Sequence, residues 1–267
     1  MRLALGVTYR GSGYRGWQSQ PGGQTVQDQL ESALSQFAAA PIHVVCAGRT
    51  DAGVHGLNQV VHLDTDLHRE CYSWVRGTNT FLPPDIAVQW CQPVPDRFHA
   101  RNLARGRRYA YILLEAPVRP AIEQAAAGWT FRPLDGQRLR EAAQCLIGEH
   151  DFSAFRSSHC QALSPVKELR RIGVSRHGVY WRFDFEASAF LHHMVRNVMG
   201  CLLMVGSGVR DVAWLQQVLA SRNRSLAAPT FSPDGLYFLG PIYDADLGLP
   251  QRTAAFGWLP GDTGVQE

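Results

Sequence analysis

The sequence predicts an α+β fold: two tandem β-α-β-β-α-β halves forming an extended, curved, mostly antiparallel sheet with helices on one face. Three observations carry this. Strand-like alternations and helical periods recur in the same order twice along the chain. Glycine and proline clusters punctuate them where turns are needed. The 267 residues, 45% hydrophobic and 18% charged, have the size and composition of one large or two modest globular domains.

Arg2 to Arg10 alternates, with Leu3, Leu5 and Val7 on one face, and reads as the first strand. Gly11, Gly13, Gly16, Pro21, Gly22 and Gly23 mark a long loop carrying Tyr14, Arg15 and Trp17. Thr25 followed by Asp28 has the pattern of a helix N-cap, and Val26, Leu30, Ala33, Leu34 and Phe37 then fall at helical spacing. Pro41 ends that helix. Strands are predicted over 42–46 and 58–63, a helix over 67–77 and a strand over 86–91, which closes the first half at about residue 105. A second round follows over 106–246. It has a strand over 107–114, a helix over 134–147, and strands over 166–176 and 179–187 joined across His177-Gly178, a tight hairpin signal. Helices over 188–205 and 211–219 precede a final strand over 235–243. The halves share element order rather than residue identity, an order of the ferredoxin/RRM-like kind. From Leu247 to residue 267 the chain is rich in Gly and Pro and is expected to form a loose tail.

The stretch from Ala47 to Leu63 stands out chemically. Gly48, Gly53 and Gly56 free the backbone between two strands, and Arg49 stands two positions from Asp51 in that turn. Glycine admits another molecule close to the backbone, and the two side chains then offer it opposite charges. An aspartate in such a turn also commonly bonds only its own backbone, so the turn alone does not decide.

Composition narrows the function classes. No apolar run approaches the roughly 20 residues of a membrane span, and the start runs directly into strand alternation, so a cytoplasmic protein is expected. The 6 cysteines form no C-x-x-C pair and the 10 histidines no metal-ligand spacing, so neither a metal site nor a redox motif is expected. Net charge is only +3, yet every basic side chain except Lys167 is arginine. Arg97, Arg101, Arg105, Arg107 and Arg108 crowd together with Phe98, His99 and Tyr109. Guanidinium groups interleaved with aromatics suit phosphate contact and base stacking.

The block from Ala47 to Leu63 closely resembles the signature of the tRNA pseudouridine synthase A family. So do shorter blocks in family order: Gly16-Trp17-Gln18, Phe98-His99-Ala100-Arg101, Arg108 to Tyr111, Gly148 to Phe155, Phe190 to Asn197, and Gly235-Leu236-Tyr237. The resemblance implies the pseudouridine synthase fold and conversion of uridine to pseudouridine in the anticodon arm of tRNA, at positions thirty-eight to forty. It implies no metal or cofactor, and a homodimer. Asp51 would be the nucleophile, Arg196 its partner cation, and Tyr109 would stack on the target base. Arg49 would fill the space left by the flipped uridine. Arg69 and the segment Phe98, His99, Ala100, Arg101 and Asn102 match tRNA-contacting positions, as does the loop His159, Cys160, Gln161, Ala162 and Leu163. Arg10, Pro117 and Leu163 depart from residues common in relatives, which bears on the extent of the RNA footprint. Two other readings stand beside this one: a non-catalytic RNA-binding or chaperone module of the same fold, and a histidine-based metal hydrolase.

Overall fold

Leu3, Leu5 and Val7 of the first strand are wholly buried against Leu30 and Leu34 of the first helix and Trp74 of the second. Ala4, between them, points the other way into a second core with Val60, Phe98 and Tyr243, as the two-residue period of a strand requires. The computed structural model describes residues 1–250 and 255–261. In chain order its elements are β1 (Arg2–Tyr9), α1 (Val26–Ala38), β2 (Val45–Cys46), β3 (His55–Asp64), α2 (Cys71–Phe81), β4 (Ile86–Val94), β5 (Gly106–Glu115), β6 (Gly128–Thr130), α3 (Gly136–Gln144), β7 (Gly148–Asp151), β8 (Val166–His177), β9 (Tyr180–Ala187), α4 (Met194–Gly206), α5 (Val212–Ser221) and β10 (Leu236–Ile242).

The described residues form two compact units, 1–107 with 237–250 and 108–236 with 255–261. In the first unit the strand order is β4-β1-β3, antiparallel throughout, with β2 also on β3. This is the order a β-α-β-β-α-β chain makes when its helices cross one sheet face. β10 adds to the start of β3 in parallel, Tyr237 opposite His55. In the second unit β5, β9, β8 and β7 are neighbours in that order, with β6 parallel to β5. The α+β class with a mostly antiparallel, mixed sheet follows directly. Among the described residues no helix is long and apolar enough to cross a membrane.

Several boundaries differ from the sequence expectation, each for a local reason. α2 begins at Cys71 rather than Leu67, because the Thr65 hydroxyl takes the Leu67 N–H at 3.1 Å and Glu70 is extended at ψ 143°. α3 stops at Gln144, since Gly148 adopts φ +115° and turns the chain into β7, a strand paired antiparallel with β8. α4 begins at Met194, not Ser188: His193 sits at φ 63°, which no helix accommodates. The closing strand, expected with the second half, belongs from Tyr237 onward to the first unit. Within the expected loose tail, the described residues 255–261 are packed. Phe256 and Leu259 are each 3% exposed. Phe256 lies over the Arg182 guanidinium at 5.3 Å, Trp258 meets Tyr180 edge-on, and His177 Nδ1 lies 3.0 Å from the Pro260 carbonyl oxygen. Apolar side chains in a Gly/Pro-rich stretch found an aromatic and cationic surface to cover. Residues 251–254 and 262–267 of that tail lie outside the described ones.

Candidate active site

The turn between β2 and β3 is pinned on every side. Ala47 N–H donates to Val60 carbonyl at 2.8 Å as the two strands part, and Val54 N–H closes a turn on the Asp51 carbonyl at 3.2 Å. From the first loop, Trp17 N–H donates to the Thr50 carbonyl at 3.0 Å. Gly16, at φ +90°, passes so close that a Cβ there would lie 2.8 Å from the same oxygen. That is why glycine stands at this position. Thr50 is buried, its hydroxyl 2.8 Å from the Tyr9 phenol, while the Gln59 amide bonds the backbone of Gly48. With Gly48 and Thr50 held inward, Arg49 is exposed and Asp51 is half-buried at the rim. The turn thus presents a carboxylate on a fixed backbone two residues from an exposed guanidinium.

The segment 97–107 lies in the same unit and is built as an anchored arginine carrier. Phe98 and Ala100, expected among RNA-contacting residues, are wholly buried, their side chains packed in the second core. They leave Arg97, Arg101 and Asn102 exposed, with His99 half-buried. His99 Nδ1 accepts the N–H groups of Arg101 and Asn102 at 3.2 and 3.3 Å. Arg101 Nη2 reaches the Cys46 sulfur at 3.7 Å. Burial pushes that thiol up, against the opposing charge of Arg101. Arg107, half-buried, donates to the carbonyls of Ala47 at 3.1 Å and Arg101 at 2.8 Å, tying the carrier to the base of the Asp51 turn. Arg69 lies apart from these, exposed at the start of α2 with its guanidinium 4.6 Å over the Phe37 ring.

His62 holds this segment by accepting the Ala100 N–H on Nδ1 at 3.1 Å. Burial first, then the charges of Arg2 and His99, lower its pKa to about 4. Between about pH 4 and the ordinary histidine value the unfolded chain binds the proton and the folded one does not. The contribution is therefore complete above the ordinary value and is lost as pH falls toward 4. We expect the stability difference between pH 7 and pH 4 to shrink by up to about 3 kcal/mol in His62→Asn, measured by urea unfolding. Equal acid sensitivity of the two proteins would refute this.

In the second unit Tyr109, 8% exposed, meets Phe190 edge-on at 5.1 Å. Arg196 stands in the first turn of α4, half-buried, its Nε donating to the Phe231 carbonyl at 2.9 Å while its own carbonyl accepts the Phe231 N–H at 3.2 Å. Its neighbour Asn197 is wholly buried. Asn197 donates to the Phe155 carbonyl at 2.7 Å and accepts from Arg224 at 3.0 Å and Thr230 at 2.7 Å. Arg196 is thus an anchored cation rather than a loose helix-surface charge. The loop at 159–163 is drawn in by Arg156, whose Nη2 donates to the carbonyls of Cys160 and Ala162, both at 2.8 Å. Burial raises the Cys160 thiol, but the N–H groups of His192 and Ala162 and the Arg156 charge outweigh it, so its pKa is lowered. His159, Gln161 and Leu163 of that loop are exposed, as is Pro117.

Sequence reasoning did not single out Gln59 or Arg224, and it placed Arg107 in the basic cluster without its tie to the Asp51 turn. Gln59 left a signal, as one of two adjacent amides inside an otherwise largely apolar strand.

A model of the tRNA pseudouridine synthase family matches residues 6–101 and 142–244, segments that hold Asp51 and Arg196 but not Tyr109. A tRNA pseudouridine synthase A of Methylibium petroleiphilum is 73% identical over 260 residues, covering 97% of this chain and 100% of its own. That of Polaromonas naphthalenivorans is 64% identical over 264 residues with the same coverage. Among solved structures, a chain of a Cbf5-Nop10-Gar1 complex is similar at 14% identity and a TM-score of 0.35, covering 76% of this chain and 45% of its own, too distant to carry an argument. The full-length relatives and the two-segment match agree, and the chain belongs to the tRNA pseudouridine synthase family.

Proposed function

We propose that this protein isomerises uridine to pseudouridine in the anticodon arm of tRNA, at positions thirty-eight to forty, with Asp51 as the nucleophile. The observation that carries the reading is the half-buried Asp51 on its pinned, glycine-walled turn, in a chain 73% identical over its length to a tRNA pseudouridine synthase A. The reaction is redox-neutral. A carboxylate oxygen of Asp51 bonds to the nucleotide, the N1–C1′ bond breaks and the uracil turns. A C5–C1′ bond then forms, the carboxylate leaves, C5 loses its proton and N1 gains one. Atoms and charge balance without an electron acceptor.

The target base must leave the helix before its glycosidic bond can be reached. Exposed Arg49 would occupy the vacated space, Tyr109 would stack on the extruded base, and Arg196 would favour the ionised form of Asp51. Arg69 and Arg101 would grip the phosphate backbone, which makes binding salt-dependent, and the segment 98–102 and the 159–163 loop would contact the tRNA. A homodimer acting in the cytoplasm completes the reading.

The C5 proton supplies the test. Purified protein mixed with tRNA tritiated at uridine C5 should release between one and three equivalents of tritium per tRNA to water, mapping to positions thirty-eight to forty. No release from a tRNA that carries uridine there would sink the reading.

A further inference from the structure

The Asp51 turn is gripped from behind by a buried amide. Gln59 has 0% exposure on β3, and its side chain meets the Gly48 peptide at both ends: Nε2 donates to the Gly48 carbonyl at 2.5 Å and Oε1 accepts the Gly48 N–H at 3.3 Å. Two residues on, the Thr50 hydroxyl and the Tyr9 phenol share a hydrogen bond of 2.8 Å, with Tyr9 only 2% exposed. Room for the Tyr9 ring comes from Gly56, where a Cβ would lie 2.4 Å from a ring carbon.

A buried amide is tolerated only where both its ends are bonded, as here, and a leucine in its place would fill the space but leave the Gly48 N–H and carbonyl without that partner. What the amide adds is direction. The two anchor points, Gly48 held by Gln59 and Thr50 held by Tyr9, bracket Arg49 and immediately precede Asp51, so they fix the path on which both side chains leave the core. Gly48, lacking a side chain, has wider backbone freedom than Arg49, Thr50 or Asp51, so its peptide depends on the clasp to hold one path.

We propose that Gln59 and Tyr9 are positioning residues for Asp51, required for the rate of isomerisation rather than for tRNA affinity. The proposal rests on Asp51 being the nucleophile. A nucleophile must sit within a narrow range of approach distances, and a displacement of about 1 Å can cost about 100-fold in rate. Phosphate contacts tolerate far larger shifts.

The test compares wild type, Gln59→Leu and Tyr9→Phe in three measurements: thermal midpoint, tRNA dissociation constant, and single-turnover tritium release with enzyme in excess, well below each midpoint. Both variants should release tritium about 10- to 100-fold more slowly, with tRNA affinity within about twofold of wild type. Wild-type rates in both variants would overturn the proposal. So would rate and affinity falling together in step with the folded fraction, which is what a merely structural role predicts. If Gln59→Leu does not fold, Tyr9→Phe decides, since it keeps the buried ring and removes only the hydroxyl. An inactive wild type would instead remove the synthase reading itself, an outcome visible before either variant is made.

Discussion

Asp51→Ala is expected to lower single-turnover tritium release at least about 10⁴-fold, the scale of losing a nucleophile, while tRNA affinity stays within about threefold. The two readouts separate because the residue makes no favourable contact with a polyanion. Removing a negative charge from a surface that binds phosphates leaves affinity unchanged or slightly improved. Asp51→Asn keeps the size and polarity of the side chain and should be as inactive as the alanine variant, which separates loss of the nucleophile from loss of packing. Asp51→Glu should also be severely impaired, because the extra methylene carries the carboxylate beyond the geometry that the pinned turn defines. A non-catalytic RNA chaperone of the same fold makes the opposite forecast: cells should do equally well with either residue. Turnover in the alanine variant comparable to wild type would end the nucleophile assignment.

How much of this was legible beforehand depends on the range of the interaction. The Thr25 cap announced α1 because cap and helix are adjacent, and Asp28 N–H does donate to the Thr25 hydroxyl at 3.2 Å. Leu3, Leu5 and Val7 announced a strand with one buried face because the period is local. By contrast, the apolar run over 188–205 is equally good as helix or as extended chain, and the left-handed backbone at His193 decides where one gives way to the other. β7 exists because β8, far along the chain, offers it a partner. The site divides in the same way. A glycine-walled turn carrying Arg49 and Asp51 between two strands is legible in the sequence, and the structure has that turn between β2 and β3. Which of Phe98, Ala100 and Arg101 faces outward was not legible, because it turns on a core assembled from β1, β3 and Tyr243. Nor was Arg107, whose part is visible only once the Ala47 and Arg101 carbonyls converge on its guanidinium.

The largest effect on stability is expected at Asp184. Arg182 and Asp184 stand two residues apart on β9, hence on one face, at 3% and 8% exposure. Three charge-assisted hydrogen bonds of 2.9 to 3.1 Å join them. Neither ion gains much from being buried, since desolvation offsets most of the attraction, but removing the carboxylate alone leaves the guanidinium's desolvation uncompensated by its anion. Asp184→Ala should therefore cost about 3–5 kcal/mol and lower the midpoint by roughly 10 °C for a protein of this size. Arg182→Met combined with Asp184→Leu should recover most of that loss, because it removes both charges and keeps the volume. The same substitution reaches the segment that the composition had suggested was loose. Phe256 rests on the Arg182 guanidinium, and Leu259 N–H donates to the Phe256 carbonyl at 2.8 Å. In Asp184→Ala the guanidinium loses the anion that holds it beneath Phe256, so the Leu259 amide should exchange with solvent faster than in wild type. The double variant should keep it protected by offering Phe256 an apolar surface. A loss below about 1 kcal/mol in Asp184→Ala, with Leu259 exchange unchanged, would mean that water reaches Arg182 despite the cover of Phe256.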